Sequence, residues 1–196
     1  MIEGIFPTPV YYEMANDFEV LNSHIDKVID KIDFNLNVHR DKPCYISTDF
    51  RTHTNIIKEY RMLHKVEKEI YRHVREYCSE LEFDIENYKY EMESWFTKCK
   101  KGNSILVHHH AYSDISGVYY YKTNGDDGDF FYESPNPFLG TNRIFHQKNR
   151  WCLQWQYKPQ VGKILLFPGW IRHGVIPNKT DNTRISLSFN INFKQK

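Results

Sequence analysis

Val107-His108-His109-His110-Ala111-Tyr112-Ser113-Asp114-Ile115-Ser116-Gly117-Val118-Tyr119-Tyr120-Tyr121 reads as two β-like runs on either side of a short break. Side chains alternate across a strand. In the run Ser104–His110, Leu106, His108 and His110 therefore share one face, and Ile105, Val107 and His109 share the other. Two imidazoles on one face are half of a metal site. A second stretch, Phe167-Pro168-Gly169-Trp170-Ile171-Arg172-His173, supplies a third imidazole from far along the chain. Arg184-Ile185-Ser186 follows eleven residues after His173, with a guanidinium suited to holding a carboxylate.

The last strand repeats the pattern. Arg184, Ser186, Ser188 and Asn190 fall on one face, and Ile185, Leu187 and Phe189 on the other. A buried face of His, His, Arg and Ser is costly as a plain core, because unpaired polar groups lose their hydration. It makes sense as the lining of a polar pocket, with the apolar faces packed on helices. His108, His110 and His173 are the expected metal ligands. Asp114 is the alternative third ligand, able to reach back if the chain bulges or turns at Ala111–Ser113. A third arrangement has two histidines and water. Three neutral imidazoles leave more positive charge on the metal than a set that includes a carboxylate.

Working outward, turn signals separate further β-like segments near residues 88–98, 116–122, 129–133, 153–157, 163–167, 173–176 and 184–193. Ile5–Tyr12, with Pro7 and Pro9, reads as an edge strand. Ahead of most strands lie two helical stretches. Asp17 is placed to cap the first, whose apolar residues are Leu21, Ile25, Val28, Ile29 and Ile32. The second spans about residues 54–81, with a stripe from Ile57 through Ile70 to Leu81. Helices followed by about eight short strands predict an α+β domain, a jelly-roll (cupin-like) with its N-terminal helices on one sheet. The whole chain, 1–196, is read as one domain.

Composition narrows the classes. A net charge of +1 offers no field to recruit nucleic acid or an acidic membrane. No apolar run is long enough for a membrane span, and the first residues lack the basic start of a secretory signal. Cys44, Cys78, Cys99 and Cys152 form no C-x-x-C pair, so reduced thiols in a cytoplasmic protein are expected, with two disulfides as the other reading. His24, His39, His53, His64, His73 and His146 are read as structural or surface residues. His109 points away from the site by its parity. Asp126 and Asp127 belong to a solvated turn, Asn124–Gly128. Ser116-Gly117 is read as a point of close strand packing. The aperiodic segment 134–150 is a lid or surface loop, and Asn142, Arg143 and Trp151 at its end are candidate substrate contacts.

Together these motifs resemble the small Fe(II)/2-oxoglutarate-dependent oxygenases of a hydroxylase group found in bacteria and phages. The resemblance is carried by Phe6-Pro7-Thr8-Pro9-Val10, by His108-x-His110 with Ser116-Gly117-Val118-Tyr119-Tyr120, by Phe167-Pro168-x-Trp170-x-x-His173-x-Val175-x-Pro177, and by Arg184-Ile185-Ser186-x-Ser188-Phe189-Asn190. It implies a double-stranded β-helix that binds iron through His108 and His173. The wider pattern has a carboxylate where this chain has His110. The resemblance also implies that Arg184 pairs with the far carboxylate of 2-oxoglutarate, assisted by Ser186 and by Tyr119 or Tyr121. The cosubstrates would be 2-oxoglutarate and dioxygen. The prime substrate would be an amino-acid side chain, free or within a protein, hydroxylated with release of succinate and carbon dioxide. A monomer or homodimer in the cytoplasm (the host's, if phage-encoded) is expected. Two other functions compete: a three-histidine cupin-like dioxygenase that does not use 2-oxoglutarate, and an inactive jelly-roll binding module. Neither has an evident use for Arg184-x-Ser186.

Overall fold

In the computed structural model, residues 7–36, 43–52, 54–136 and 153–196 are described. Eleven strands among them form two antiparallel sheets. They are β1 (Tyr11–Met14), β2 (Asn35–Leu36), β3 (Tyr45–Ile46), β4 (Tyr88–Cys99), β5 (Ile105–His108), β6 (Ile115–Lys122), β7 (Phe130–Glu133), β8 (Gln154–Tyr157), β9 (Lys163–Pro168), β10 (His173–Val175) and β11 (Arg184–Gln195). The large sheet has the order β1-β9-β6-β11-β4-β3-β2, and the small one β5-β10-β7-β8. β1 is an edge strand, as the prolines before it require, because a proline cannot donate to a ladder. The short strands β2 and β3 carry too little alternation to be read from sequence.

Two apolar clusters lie on opposite sides of the large sheet. One joins Leu21, Ile25 and Val28 of the first helix and Val66, Ile70 and Val74 of the third to Phe96, Ile185, Leu187, Phe189 and Ile191. The other joins Val118, Tyr120, Leu165 and Phe167 of the large sheet to Phe130, Tyr132 and Val175 of the small one. The period-two alternation of β11 is therefore divided between two environments. Its apolar residues enter the first cluster, and its polar residues face the space between the sheets. At Gly117 an added Cβ would lie 2.4 Å from Cζ of Phe189 and 2.8 Å from the Leu165 carbonyl oxygen, so β6 admits no side chain there.

Helix α1 spans Phe18–Ile29. Asp17 stands before it with a left-handed backbone (φ 48°) and makes no side-chain cap. Its carbonyl instead accepts from the Val20 and Leu21 amides. A side-chain cap needs extended backbone at that position, which corrects the expected role of Asp17. The helical stretch expected over 54–81 is broken. α2 covers Ile56–Glu59, a 3₁₀ turn covers Arg61–Leu63, and α3 covers His64–Glu80. The break falls at Tyr60, which is extended (φ −115°, ψ 94°) and donates its hydroxyl to the Lys31 carbonyl at 3.3 Å.

Cys44 and Cys99 are joined in a disulfide, with Cα atoms 4.5 Å apart, correcting the expectation that both are free. They lie 55 residues apart in sequence, and only the pairing of Tyr45 with Lys98 brings them together. The argument from reduced thiols to a cytoplasmic location falls with this bond. Cys78 is free and buried, and Cys152 lies outside the described residues. Among the described residues no helix is long and apolar enough to cross a membrane.

Candidate metal centre

His108 ends β5 and His173 begins β10, and the two are direct partners in that antiparallel ladder. His110 lies beyond the strand. Its amide donates to the Gly169 carbonyl at 2.8 Å, and its carbonyl accepts from the Ser113 amide at 2.9 Å, which holds it on the His108 side. The candidate ligand atoms of His108, His110 and His173 all lie within 4.8 Å of one another. Asp114 is directed elsewhere. Its carboxylate accepts from the Phe193 amide at 2.7 Å, and its own amide donates to the Ile191 carbonyl at 3.1 Å. It is tied to β11 outside the imidazole cluster. His109 is exposed, but the expected alternation fails along β5: Leu106, expected beside His108, is 53% exposed, and Ile105, expected on the opposite face, lines the cavity, because the ladder with β10 is irregular between His173 and Val175.

The tautomers of two imidazoles follow from their neighbours. Nδ1 of His108 lies 2.8 Å from the Leu106 carbonyl oxygen, and Nδ1 of His173 lies 2.9 Å from that of Ile171. A carbonyl only accepts, so each Nδ1 carries the hydrogen and each Nε2 keeps its lone pair. Burial, and secondarily the nearby His108, pushes His173 down to about 2 and His110 down to about 4. Both rings therefore stay neutral, as metal ligation requires. Phe130 stacks on His173 at 5.4 Å between ring centroids, and Phe167 lies at 4.7 Å, which excludes water from that side.

Arg184 opens β11 and is 1% exposed. Its Nη1 donates to the Gly128 carbonyl at 2.6 Å and its Nη2 to Cys99 Sγ at 3.2 Å. Among the described residues its Nε has no hydrogen-bond partner, and neither has the hydroxyl of buried Tyr120. Both residues line one cavity of about 170 Å³ together with Ser186, His108, His110 and His173. A buried N–H and a buried phenol left unsatisfied cost free energy. A carboxylate placed against them would satisfy both, and burial, which lowers the pKa of Arg184, is the cost such an anion offsets. The Gly128 carbonyl is fixed by Asp127, which is wholly buried instead of solvated. Asp127 accepts from Thr123 Oγ1 at 2.5 Å, from the Asn124 amide at 3.0 Å and from Asn182 Nδ2 at 2.6 Å.

Tyr119 and Tyr121 do not reach this cavity. Their hydroxyls donate to Asn22 at 2.6 Å and Asp26 at 2.5 Å, both on α1, on the other side of the large sheet. This corrects their expected role, and the tyrosine in the cavity is Tyr120. The signal available in sequence was Ser116, a polar residue with the same parity as Tyr120. Asn190 lines the cavity on the face it shares with Arg184 and Ser186, and Phe50, Trp95 and Thr97 also line it, though no motif pointed to those three. Asn142, Arg143 and Trp151, with most of the expected lid, lie outside the described residues.

A family model described as "putative 2OG-Fe(II) oxygenase" matches residues 93–190, a span that contains the three histidines and Arg184. The chain belongs to this family. It is accordingly an oxidoreductase whose cofactors are Fe(II) and 2-oxoglutarate. No curated protein matches it. Among solved structures, a 2OG-Fe(II) oxygenase family member from Burkholderia pseudomallei shares the fold with a TM-score of 0.64 at 16% identity, over 93% of this chain and 83% of that one. A Pseudomonas putida prolyl-4-hydroxylase gives 0.64 at 12% identity over 96% and 94%. HygX from Streptomyces hygroscopicus, solved with nickel and 2-oxoglutarate, gives 0.63 at 11% identity over 94% and 82%.

Proposed function

We propose that this oxygenase hydroxylates an amino-acid side chain, free or within a protein, at an iron held by His108, His173 and His110. The two facing sheets are read as the double-stranded β-helix of such enzymes. One observation carries the assignment: the Nε of Arg184 and hydroxyl of Tyr120, unsatisfied among the described residues, share one cavity with the three imidazoles. Arg184 and Tyr120 would receive the far carboxylate of 2-oxoglutarate, and Ser186 can add a hydroxyl donor. Fe(II) and 2-oxoglutarate, when bound, would let dioxygen decarboxylate 2-oxoglutarate oxidatively to succinate and carbon dioxide, with one oxygen atom going to succinate and the other to the hydroxylated substrate. The protein's own part is to present Nε2 of His108 and His173, to hold His110 and His173 neutral by burial, to fix the guanidinium through Gly128 and Cys99, and to keep water out with Phe130 and Phe167. A three-histidine dioxygenase without 2-oxoglutarate has no use for a buried Arg184 beside Tyr120. The related folds act by hydroxylation in the Pseudomonas enzyme, and others are named as an epimerase and a carbocyclase, so hydroxylation rests on the first of these alone.

An anaerobic titration tests the assignment. Fe(II) and 2-oxoglutarate together should give a visible charge-transfer band that neither gives alone. Arg184→Ala should weaken 2-oxoglutarate by about one to two decades, the range for a charged hydrogen-bonding pair. Arg184→Lys should restore only part, because an ammonium cannot reproduce the fork. Equal affinity in wild type and Arg184→Ala would remove Arg184 as the anchor.

A further inference from the structure

We propose that Phe50, Trp95 and Glu93 form the recognition wall for the prime substrate and select one with a cationic group on a short aliphatic stem, such as a lysine- or arginine-like side chain. This deepens the oxygenase reading and rests on it.

Phe50, a residue 58% exposed, lines the cavity with its backbone left-handed (φ 55°), a conformation a bulky L-residue adopts only when its surroundings impose it. The surroundings do so here. Thr48 Oγ1 accepts from the Phe50 amide at 2.9 Å, and the Asp49 carboxylate accepts from the Arg51 and Thr52 amides at 2.9 Å each. The ring meets Trp95 edge-to-face at 5.6 Å, and Trp95 in turn lies 6.0 Å from the ring of His110. An aromatic pair therefore stands between solvent and the imidazole cluster, with one of its two residues exposed.

Glu93 adds charge to this wall. In β4, Trp95 and Thr97 line the cavity, and Glu93, of the same parity, is exposed beyond that lining, while Met92 and Phe96 enter the helix-side cluster. Asn190, directly opposite Glu93, donates from Nδ2 to its carboxylate at 3.3 Å, and the same nitrogen lies 3.4 Å from Nδ1 of His110. Ser116 donates to Asn190 Oδ1 at 2.9 Å, so this amide is held from both neighbouring strands. One amide thus separates an exposed carboxylate from the imidazoles. Among the described residues no cation forms an ion pair with Glu93.

Charge is therefore divided between the cavity and its border. Buried Arg184 lines the cavity with positive charge, and exposed Glu93, outside that lining, carries negative charge beside Asn190. An anion is drawn inward and a cation outward. The negative faces of Phe50 and Trp95 favour a cation or its aliphatic stem over a carboxylate. An acidic substrate would meet like charge at Glu93. A purely apolar one would desolvate that carboxylate without pairing it.

The test uses the full chain loaded with Zn(II) and 2-oxoglutarate, which is inert to turnover. Nα-acetyl N-methylamides of lysine, arginine, norleucine and glutamate serve as probes, with affinities measured by ligand-observed saturation-transfer NMR. Lysine and arginine probes should bind about tenfold tighter than norleucine, with glutamate weakest. Glu93→Gln should erase the advantage over norleucine, and Phe50→Ala should weaken the lysine, arginine and norleucine probes together. Norleucine or glutamate binding as well as lysine, a preference that survives Glu93→Gln, or no binding of any probe would overturn the proposal. The anaerobic Fe(II)–2-oxoglutarate band is read on a second portion of the same protein loaded with Fe(II) in place of Zn(II). Its absence removes the oxygenase reading, whereas its presence without a lysine preference removes this inference alone.

Discussion

Ser186 and Tyr120 are direct partners in the antiparallel ladder between β11 and β6, so they project from the same face of the large sheet. Arg184 has the parity of Ser186, and the three side chains meet in one cavity. Tyr119 and Tyr121, one residue to either side, point to α1. Tyr120→Phe should therefore weaken 2-oxoglutarate by about tenfold while leaving iron affinity unchanged, as expected for loss of one hydrogen bond to a charged group. Tyr119→Phe should lower stability by about 1 kcal/mol through loss of its bond to Asn22, with no change in 2-oxoglutarate affinity. Paired anaerobic titrations and urea unfolding would measure both, and a reversed pattern would place the wrong tyrosine in the cavity.

The rival third ligands separate by metal content. His108→Ala, His173→Ala and His110→Ala should each lose stoichiometric iron while remaining folded, and Asp114→Ala should retain it. Asp114→Ala should instead loosen the end of β11, where its carboxylate holds the Phe193 amide. Iron content measured after desalting decides the matter. Retained iron in His110→Ala would leave two histidines as the protein's whole contribution.

Gly169 governs the position of His110. A Cβ there would lie 2.1 Å from the Ser113 carbonyl oxygen and 2.6 Å from that of His110, both backbone atoms that cannot step aside alone. Gly169→Ala should push residues 110–113 away from the cluster, costing about 1–3 kcal/mol in stability and at least about tenfold in metal affinity. Zn(II) titration beside thermal unfolding would show it. An unchanged metal affinity would mean that the loop relaxes without moving the ring.

His73 gives the fold a pH dependence remote from the metal. It is fully buried, with Nδ1 2.7 Å from the Tyr11 hydroxyl and Nε2 2.8 Å from Arg72 Nη2. Burial first, and the Arg72 charge second, hold it below its ordinary value of 6.5. The unfolded chain therefore takes up the proton first as pH falls. This contribution to stability is present above about 6.5 and is lost progressively below it, toward the folded value. The urea midpoint should fall between about pH 7.5 and pH 5.5, and His73→Gln should make that fall shallower. His110 and His173, also lowered, supply the remaining slope in metal-free protein. An identical slope in His73→Gln would show that His73 is not a linked group.

Alternation is a local property of a strand, fixed by the covalent geometry of successive residues. For that reason the sequence alone determined which residues of β11 share a face and where the turns divide the strands. It also determined that His108, His173 and Arg184 belong together, because three motifs in one order left few other uses for such residues. Which face of one strand meets which face of another is set by register and sheet order, and these arise only from non-local pairing. Only the tertiary structure therefore decided that Tyr120 and not its neighbours enters the cavity, that β3 lays Cys44 beside Cys99, and that Asp127 is buried under Asn182. The positions of His110 and Asp114 were likewise hidden, since they depend on hydrogen bonds with Gly169 and Phe193, residues distant in sequence. The wall of Phe50, Trp95 and Glu93 was hidden for the same reason: none of the three carries a signal until β4 is seen beside the loop that holds Phe50.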